Sequence, residues 1–197
     1  MCGRFVVSID ENIAEIETIF LDINDKYSGA GITVKTGEIY PTDKVPVLSI
    51  YNKRPTMSLM EWGFPKWDGK GVIINARSET AAYKMMFKES LMQRRCVIPS
   101  TGFYEWAKLG GKAKAKYRFN DPSGPMLYMA GIYTDYPGLG PRFVILTCDA
   151  NSSVSDVHDR MPVILCKDEL VRWLTDYEFA IQVMARDSIQ LEKSYAE

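Results

Sequence analysis

The sequence is poor in histidine: His158 is the single one among 197 residues. Cysteine is scarce as well, and Cys2, Cys96, Cys148 and Cys166 stand far apart with no C-x-x-C pair. One imidazole and four dispersed thiols do not make a usual zinc set, so no metal site and no cofactor are expected. Net charge is also nearly missing, formally −1. That removes a global electrostatic pull toward nucleic acid, so any DNA binding needs a local basic surface. No apolar stretch at the N-terminus is long enough for a signal peptide, and none anywhere can span a membrane. "MC" is not a myristoylation start, which needs Gly second. The expected location is therefore the cytoplasm. Repeats, low-complexity segments, linkers and βαβ alternation are all absent.

What is present is an ordinary globular composition, 46% apolar, at a length that suits one domain over residues 1–197. Charge is segregated. Between Lys84 and Arg118 nine Lys and Arg face only Glu89 and Glu105, while the early segment and the C-terminal region lean acidic. The Lys-rich "AKLGGKAKAKYR" reads as a solvated hairpin. Cys96, Cys148 and Cys166 lie in or beside apolar runs and read as buried free thiols of a reducing compartment.

"GRFVVS" reads as a short strand. Ser8 and Glu11 have capping-box spacing and open a helix with Ile13, Ile16, Ile19 and Phe20 on one face. "KYSGAGITVKTGEIYPTDK" is turn-rich and reads as an exposed excursion. "VPVLSIY" and "TMSLMEWGF" pair across "NKRP", and "GVIINA" is a buried-type strand. "SETAAYKMMFKESLMQR" is expected to be one helix with Ser78 as N-cap. Strands follow in "CVIPS", "GFYEWAK", "KYRFN", "PMLYMAGIY", "RFVILTCD" and "PVILC", with tight hairpins between several of them. "KDELVRWLTD" starts a C-terminal helix. Strands joined by hairpins outnumber helices, which gives an α+β fold with an antiparallel, barrel-like sheet core and flanking helices.

One residue stands apart. Removal of Met1 makes Cys2 the N-terminus, with its α-amine and thiol on adjacent carbons. No other residue and position offers that pair of nucleophiles. Around it, five short stretches recur in order: "MCGRF", "EWGFPKW", "INARSET", "GFYEW" and "HDRMP". In order and spacing they resemble the SOS-response-associated peptidase family, over nearly the whole chain. The resemblance implies an α+β fold and binding of single-stranded DNA. It also implies a covalent link between the N-terminal cysteine and an abasic site. It implies Cys2 as nucleophile, Asn75, Glu105 and His158 as its companions, and Arg4, Arg77 and Arg160 as phosphate contacts. At residues 37–44 the chain departs from that family: where an Asn-x-x-Pro-type loop is usual, it reads "GEIYPTDK", and only Pro41 and Thr42 align.

The chemistry is coherent on its own. An abasic site exposes an aldehyde, and capturing it needs a neutral amine. An α-amine titrates near 7.7–8.0 and lysine near 10.4, so at pH 7.4 roughly a quarter of α-amines are neutral against about a thousandth of lysines. The thiol then closes a five-membered thiazolidine intramolecularly. Glu105, under the apolar cover of Phe103, Tyr104 and Trp106, suits general acid/base work, although a simple pairing with an arginine stands equally open. His158 suits the sugar oxygen or leaving group. The Asn75 amide can hold the cysteine backbone, or merely end a strand. Arg4 and Arg77 are phosphate clamps or solvated charges. Trp62 reads as core, Trp67 as a base-stacking residue in a loop, and Trp106 as core or pocket wall.

The leading reading is thus a monomer that captures abasic sites in single-stranded DNA, with strand cutting by β-elimination from the Schiff base as a companion activity. The family's name reflects a peptidase activity, which removal of Met1 alone can account for. Two alternatives remain: an N-terminal-nucleophile amidase, in which the thiol attacks and the amine is base, and a non-catalytic single-strand binding module.

Overall fold

The computed structural model describes residues 2–8, 13–27, 34–110 and 113–196. Strand β1 (Phe5–Val7) is followed by helix α1 (Ala14–Tyr27), which buries Ile16, Ile19 and Ile23 along one stripe. Then come β2 (Gly37–Ile39), β3 (Lys44–Tyr51), β4 (Arg54–Trp62), β5 (Phe64–Pro65), β6 (Val72–Ile73) and β7 (Asn75–Arg77). Helices α2 (Ser78–Ala81) and α3 (Met85–Gln93) precede the long strands β8 (Arg95–Ser100), β9 (Gly102–Gly110), β10 (Ala113–Asn120), β11 (Leu127–Tyr136) and β12 (Gly140–Asp149). The chain ends with β13 (Arg160–Pro162), β14 (Ile164–Leu165), α4 (Leu170–Thr175), α5 (Tyr177–Ala185) and β15 (Glu192–Ala196).

Strands β12, β4, β3, β8 and β11 pair in that order, and β11 pairs back to β12, closing a five-stranded barrel. Closure leaves no exposed edge on these five strands. A second, open antiparallel sheet runs β15-β10-β9-β1-β2. This is the α+β, antiparallel, barrel-like architecture with flanking helices expected from the sequence. Trp62, with no exposed surface, anchors the junction of the two sheets. Its ring is stacked at 6.3 Å on Phe143 of the barrel and tilted at 5.1 Å on Phe5 of β1.

Every residue of β8 is buried, and the strand includes an arginine. The Arg95 guanidinium donates to the carbonyls of Leu91 and Met92 at the end of α3 and of Trp173 and Leu174 in α4, at 2.6–3.2 Å. It satisfies helix-terminal carbonyls that would otherwise be orphaned, and it ties both helices to the barrel. Arg95→Ala should cost about 3 kcal/mol or more of stability, read as a lower denaturant midpoint. Arg95→Lys should recover only part of it, because an ammonium cannot span the same four acceptors.

Several local expectations need correction. The helix expected through residues 78–94 is two helices, since Lys84 is extended (φ −74°, ψ 124°) as N-cap of α3. The two pieces pack on different partners, α2 on β12 and α5, α3 on β11 and β8. Ser78 is not a cap: Arg77 holds that position, and Ser78 is the first helical residue. "GVIINA" breaks at Ile74, whose carbonyl accepts both the Trp62 indole N–H (3.0 Å) and the Ile145 N–H (3.1 Å). Valine and isoleucine of β6 therefore pair with β5, while Asn75 starts a strand parallel to β12.

The turn "NKRP" narrows to Asn52 and Lys53, both at positive φ, and Arg54 and Pro55 already belong to β4. The excursion before β3 contributes strand β2, with Ile39 fully buried. Cys166 is exposed and not buried, because the chain leaves β14 there for a turn in which the Cys166 N–H donates to Glu169. Cys96 is buried and Cys148 half-buried. Strand β15 carries no alternating apolar signal and was not expected. The Ser8–Glu11 capping box involves Glu11, which lies outside the described residues. No described helix is long and apolar enough to cross a membrane.

Candidate active site

Cys2 precedes β1, which lies between β9 and β2 in the open sheet. The β1–β9 register pairs Phe5 with Phe103 and continues in a hydrogen bond from the Tyr104 N–H to the Arg4 carbonyl at 2.9 Å. That register brings the N-terminal residues alongside Glu105. Gly102 opens β9 at φ +152°, and a Cβ there would sit 2.6 Å from the Phe119 carbonyl oxygen. Only glycine allows β9 to approach β10 so closely, and this approach sets the strand that carries Glu105.

Cys2 has no exposed surface, and its Sγ–H points to the Arg4 carbonyl at 3.8 Å. Burial pushes its thiol far up, and the charge of Glu105 adds to the push. Such a thiol carries little thiolate at neutral pH. Asn75, the first residue of β7, donates its Nδ2 to the Cys2 carbonyl at 2.9 Å, tying the terminus to the barrel. Glu105 is 4% exposed. Burial raises its carboxyl above the ordinary range, against an opposing pull from His158. Cys2, Asn75, Glu105 and His158, spread over the whole chain, are thus brought to one place.

His158 sits in the loop before β13. Its Nδ1 accepts the Arg160 N–H at 3.0 Å and lies 2.8 Å from Asp159 Oδ1. The two contacts use Nδ1 in opposite senses. A neutral imidazole that accepts from Arg160 carries its proton on Nε2, and a protonated one donates from Nδ1 to Asp159.

The cationic residues fare differently. Arg77, at the end of β7, is exposed, and its guanidinium forms no ion pair with a described residue. Arg4 is partly exposed, pairs with Glu38 at 3.1 Å, and lies over the rings of Tyr40 (4.1 Å) and Trp106 (5.0 Å). Arg160 is buried. It grips Glu79 with two parallel hydrogen bonds (2.8 and 2.9 Å), donates to the Thr147 carbonyl (2.7 Å) and pairs with Asp149. Its donors are taken up by Glu79, Asp149 and the Thr147 carbonyl, and so join the His158 loop to α2 and β12. Trp67 is 95% exposed in the turn between β5 and β6. Trp62 is core, and Trp106 walls the Arg4 side chain.

Sequence reading missed Glu38, Tyr40 and Lys116, which gather around Arg4. The available signal was strand alternation in β10: Lys116 pairs across from Trp106, on the Arg4 side, and is not a solvated hairpin lysine. A cavity of about 1310 Å³ under α1, bordered by Ile19, Met126, Tyr128 and Leu165, contains none of these residues.

Fold and geometry together define a class: an α+β barrel protein with a cysteine at position 2 held by an amide beside a buried carboxylate, which an imidazole in turn influences. A family model described as SOS response associated peptidase (SRAP) matches residues 1–193, and the chain belongs to that family. It is 31% identical over 184 residues to "Abasic site processing protein YoqW" of Bacillus subtilis, covering 88% of this chain and 80% of that one. It is 34% identical over 190 residues to "Abasic site processing protein YoaM" of the same organism, covering 88% and 79%. A crystal structure of a protein from Bacteroides thetaiotaomicron superposes with a TM-score of 0.80 at 24% identity, over 100% of this chain and 92% of that one, and shares the fold.

Proposed function

We propose that the chain processes abasic sites in DNA, capturing them in single strands through Cys2 once Met1 is removed. The observation that carries this reading is the convergence of Asn75 and Glu105 on Cys2, with His158 acting on Glu105. The similarity to abasic site processing proteins supports it.

The α-amine of Cys2 attacks the C1′ aldehyde, and the carbinolamine loses one water to give a Schiff base. The Sγ–H then adds across the C=N bond: sulfur bonds to carbon, the proton passes to nitrogen, and the thiazolidine closes. The buried, hard-to-ionise thiol favours this order. It is a poor first nucleophile, which counts against an amidase in which the thiol leads, but a well-placed second one. Asn75 fixes the Cys2 backbone. Glu105, kept protonated further up the pH scale than an ordinary glutamate, donates the proton that expels water from the carbinolamine and takes it back afterwards. His158 serves the sugar oxygen during ring opening. Loss of the 3′ phosphate from the Schiff base by β-elimination gives the lyase branch, and thiazolidine closure competes with it.

Arg77 and Arg4 hold the phosphates, and Trp67 stacks on an unpaired base. Arg160, whose donors are taken by Glu79, Asp149 and the Thr147 carbonyl, positions the His158 loop. Incubation of the processed protein with an oligonucleotide bearing one abasic site tests the whole reading. A covalent adduct is expected. Amide cleavage without adduct, or reversible binding alone, would replace it with one of the alternatives. Arg77→Ala should weaken binding to undamaged single strands regardless of base sequence and lower the salt slope by about 0.7, the share of one phosphate contact. An unchanged slope, measured by fluorescence anisotropy between low and moderate salt, removes Arg77 from the interface.

A further inference from the structure

Glu38 is the middle residue of β2, the edge strand that pairs with β1. Its carboxylate accepts from Arg4 Nη1 (3.1 Å), from the Tyr40 hydroxyl (3.1 Å) and from the Lys116 ammonium. The two cations are themselves held by rings: Arg4 over Tyr40 and Trp106, and Lys116 over Tyr104 at 4.3 Å. These donors keep the Glu38 carboxyl below the ordinary range despite the opposing effect of burial, so it is an anion at neutral pH. Two cations and a hydroxyl, aimed by aromatic walls at a pair of oxygens, form an anion site. The protein fills that site with its own side chain.

A phosphodiester offers the same feature, two equivalent oxygens sharing one negative charge, and Arg recognises both anions in the same planar way. Exchange of one for the other keeps the local charge balance. The site is also reachable. Glu38 and Arg4 side chains are 29% and 28% exposed, and Tyr40 is exposed. Glu38 sits on β2, a three-residue edge strand, so its side chain can leave without disturbing a central ladder.

We propose that Glu38 is a built-in occupant of a phosphate site made by Arg4, Tyr40 and Lys116, which a DNA backbone phosphate takes by displacing the carboxylate. This rests on the reading of Arg4 as a phosphate contact and extends it to two further residues and a competitor. Its consequence is weak binding to intact strands, with retention left to covalent capture.

The test uses undamaged oligothymidylate and the processed full chain in fluorescence anisotropy. Glu38→Gln should bind about five- to tenfold more tightly at low salt, with a salt dependence steeper by about one released ion. The Arg4→Ala/Glu38→Gln double variant should lose that gain, and Lys116→Ala alone should weaken binding. If Glu38 is instead a brace that Arg4 needs, Glu38→Gln binds less tightly. Weaker or equal binding by Glu38→Gln, including none detectable for either protein, overturns the proposal, as does unchanged binding by Lys116→Ala. The parent reading fails on a different readout, the absence of any covalent adduct between the wild-type protein and an abasic oligonucleotide.

Discussion

Cys2→Ala should abolish the stable adduct with abasic DNA, and Cys2→Ser should give one only when a reductant traps the Schiff base. Both variants keep an α-amine at the same place, so both can form the imine. Neither can close a thiazolidine; serine can close only the less stable oxygen analogue. The intramolecular thiol has an effective concentration far above any solution thiol, so its loss should lower the yield of unreduced adduct at least about a hundredfold. Asn75 should still hold the residue-2 carbonyl in either variant, because that contact uses the backbone. Binding to undamaged DNA should therefore be unchanged. Denaturing gels with and without reductant separate the two steps. Wild-type adduct yield from Cys2→Ala without reductant would show that ring closure plays no part.

Glu105→Gln should slow adduct formation by about 10²–10⁴-fold, the usual contribution of a general acid/base. Binding to intact DNA should hardly change, since Glu105 is buried and touches no phosphate in this scheme. Equal losses in both assays would make the residue structural. Stability provides a second, opposite readout. The folded-state carboxyl titrates above its unfolded value, chiefly because burial disfavours the charge. Such a group favours folding fully below its unfolded value, about 4.3, and that advantage is lost as pH rises through the folded value. The neutral glutamine escapes this loss. Glu105→Gln should thus melt higher than wild type at pH 7, with the difference vanishing at pH values below about 4. A residue that costs stability and supplies rate fits a catalytic role; melting below wild type at pH 7 would contradict it.

The same pressures explain which features the sequence displayed. The barrel was legible because β8, β11 and β12 are short apolar runs, rich in β-branched and aromatic residues and bounded by turns, and those features mark strands where periodicity alone does not. Boundaries failed where a tertiary contact decides them. Nothing local marks Ile74 as the acceptor for the Trp62 indole or Lys84 as the break between two helices with different partners. At the site, the chemistry of an amine beside a thiol singled out Cys2, and the family resemblance singled out Asn75, Glu105 and His158. The direction of a guanidinium was not. "HDRMP" does not reveal that Arg160 turns toward Glu79 from a distant motif, and "GEIYPTDK" does not reveal that Glu38 reaches Arg4 and Lys116. Long polar side chains choose partners across the fold, and only the assembled structure brings those partners together.

The central claim is that the α-amine of Cys2 forms the bond to the abasic site, and that claim is open to one direct measurement. With Met1 attached, the Cys2 nitrogen is a peptide amide and cannot form a Schiff base. Protein retaining Met1 and protein lacking it are each incubated with an abasic oligonucleotide, and the DNA-linked peptide is mapped by mass spectrometry. The expected result is a cross-link only in the chain that begins at Cys2, on its terminal peptide, with a mass equal to both partners less one water. A homogeneous preparation that retains Met1 and still links to DNA through Cys2 would contradict the α-amine mechanism and leave the thiol as sole nucleophile.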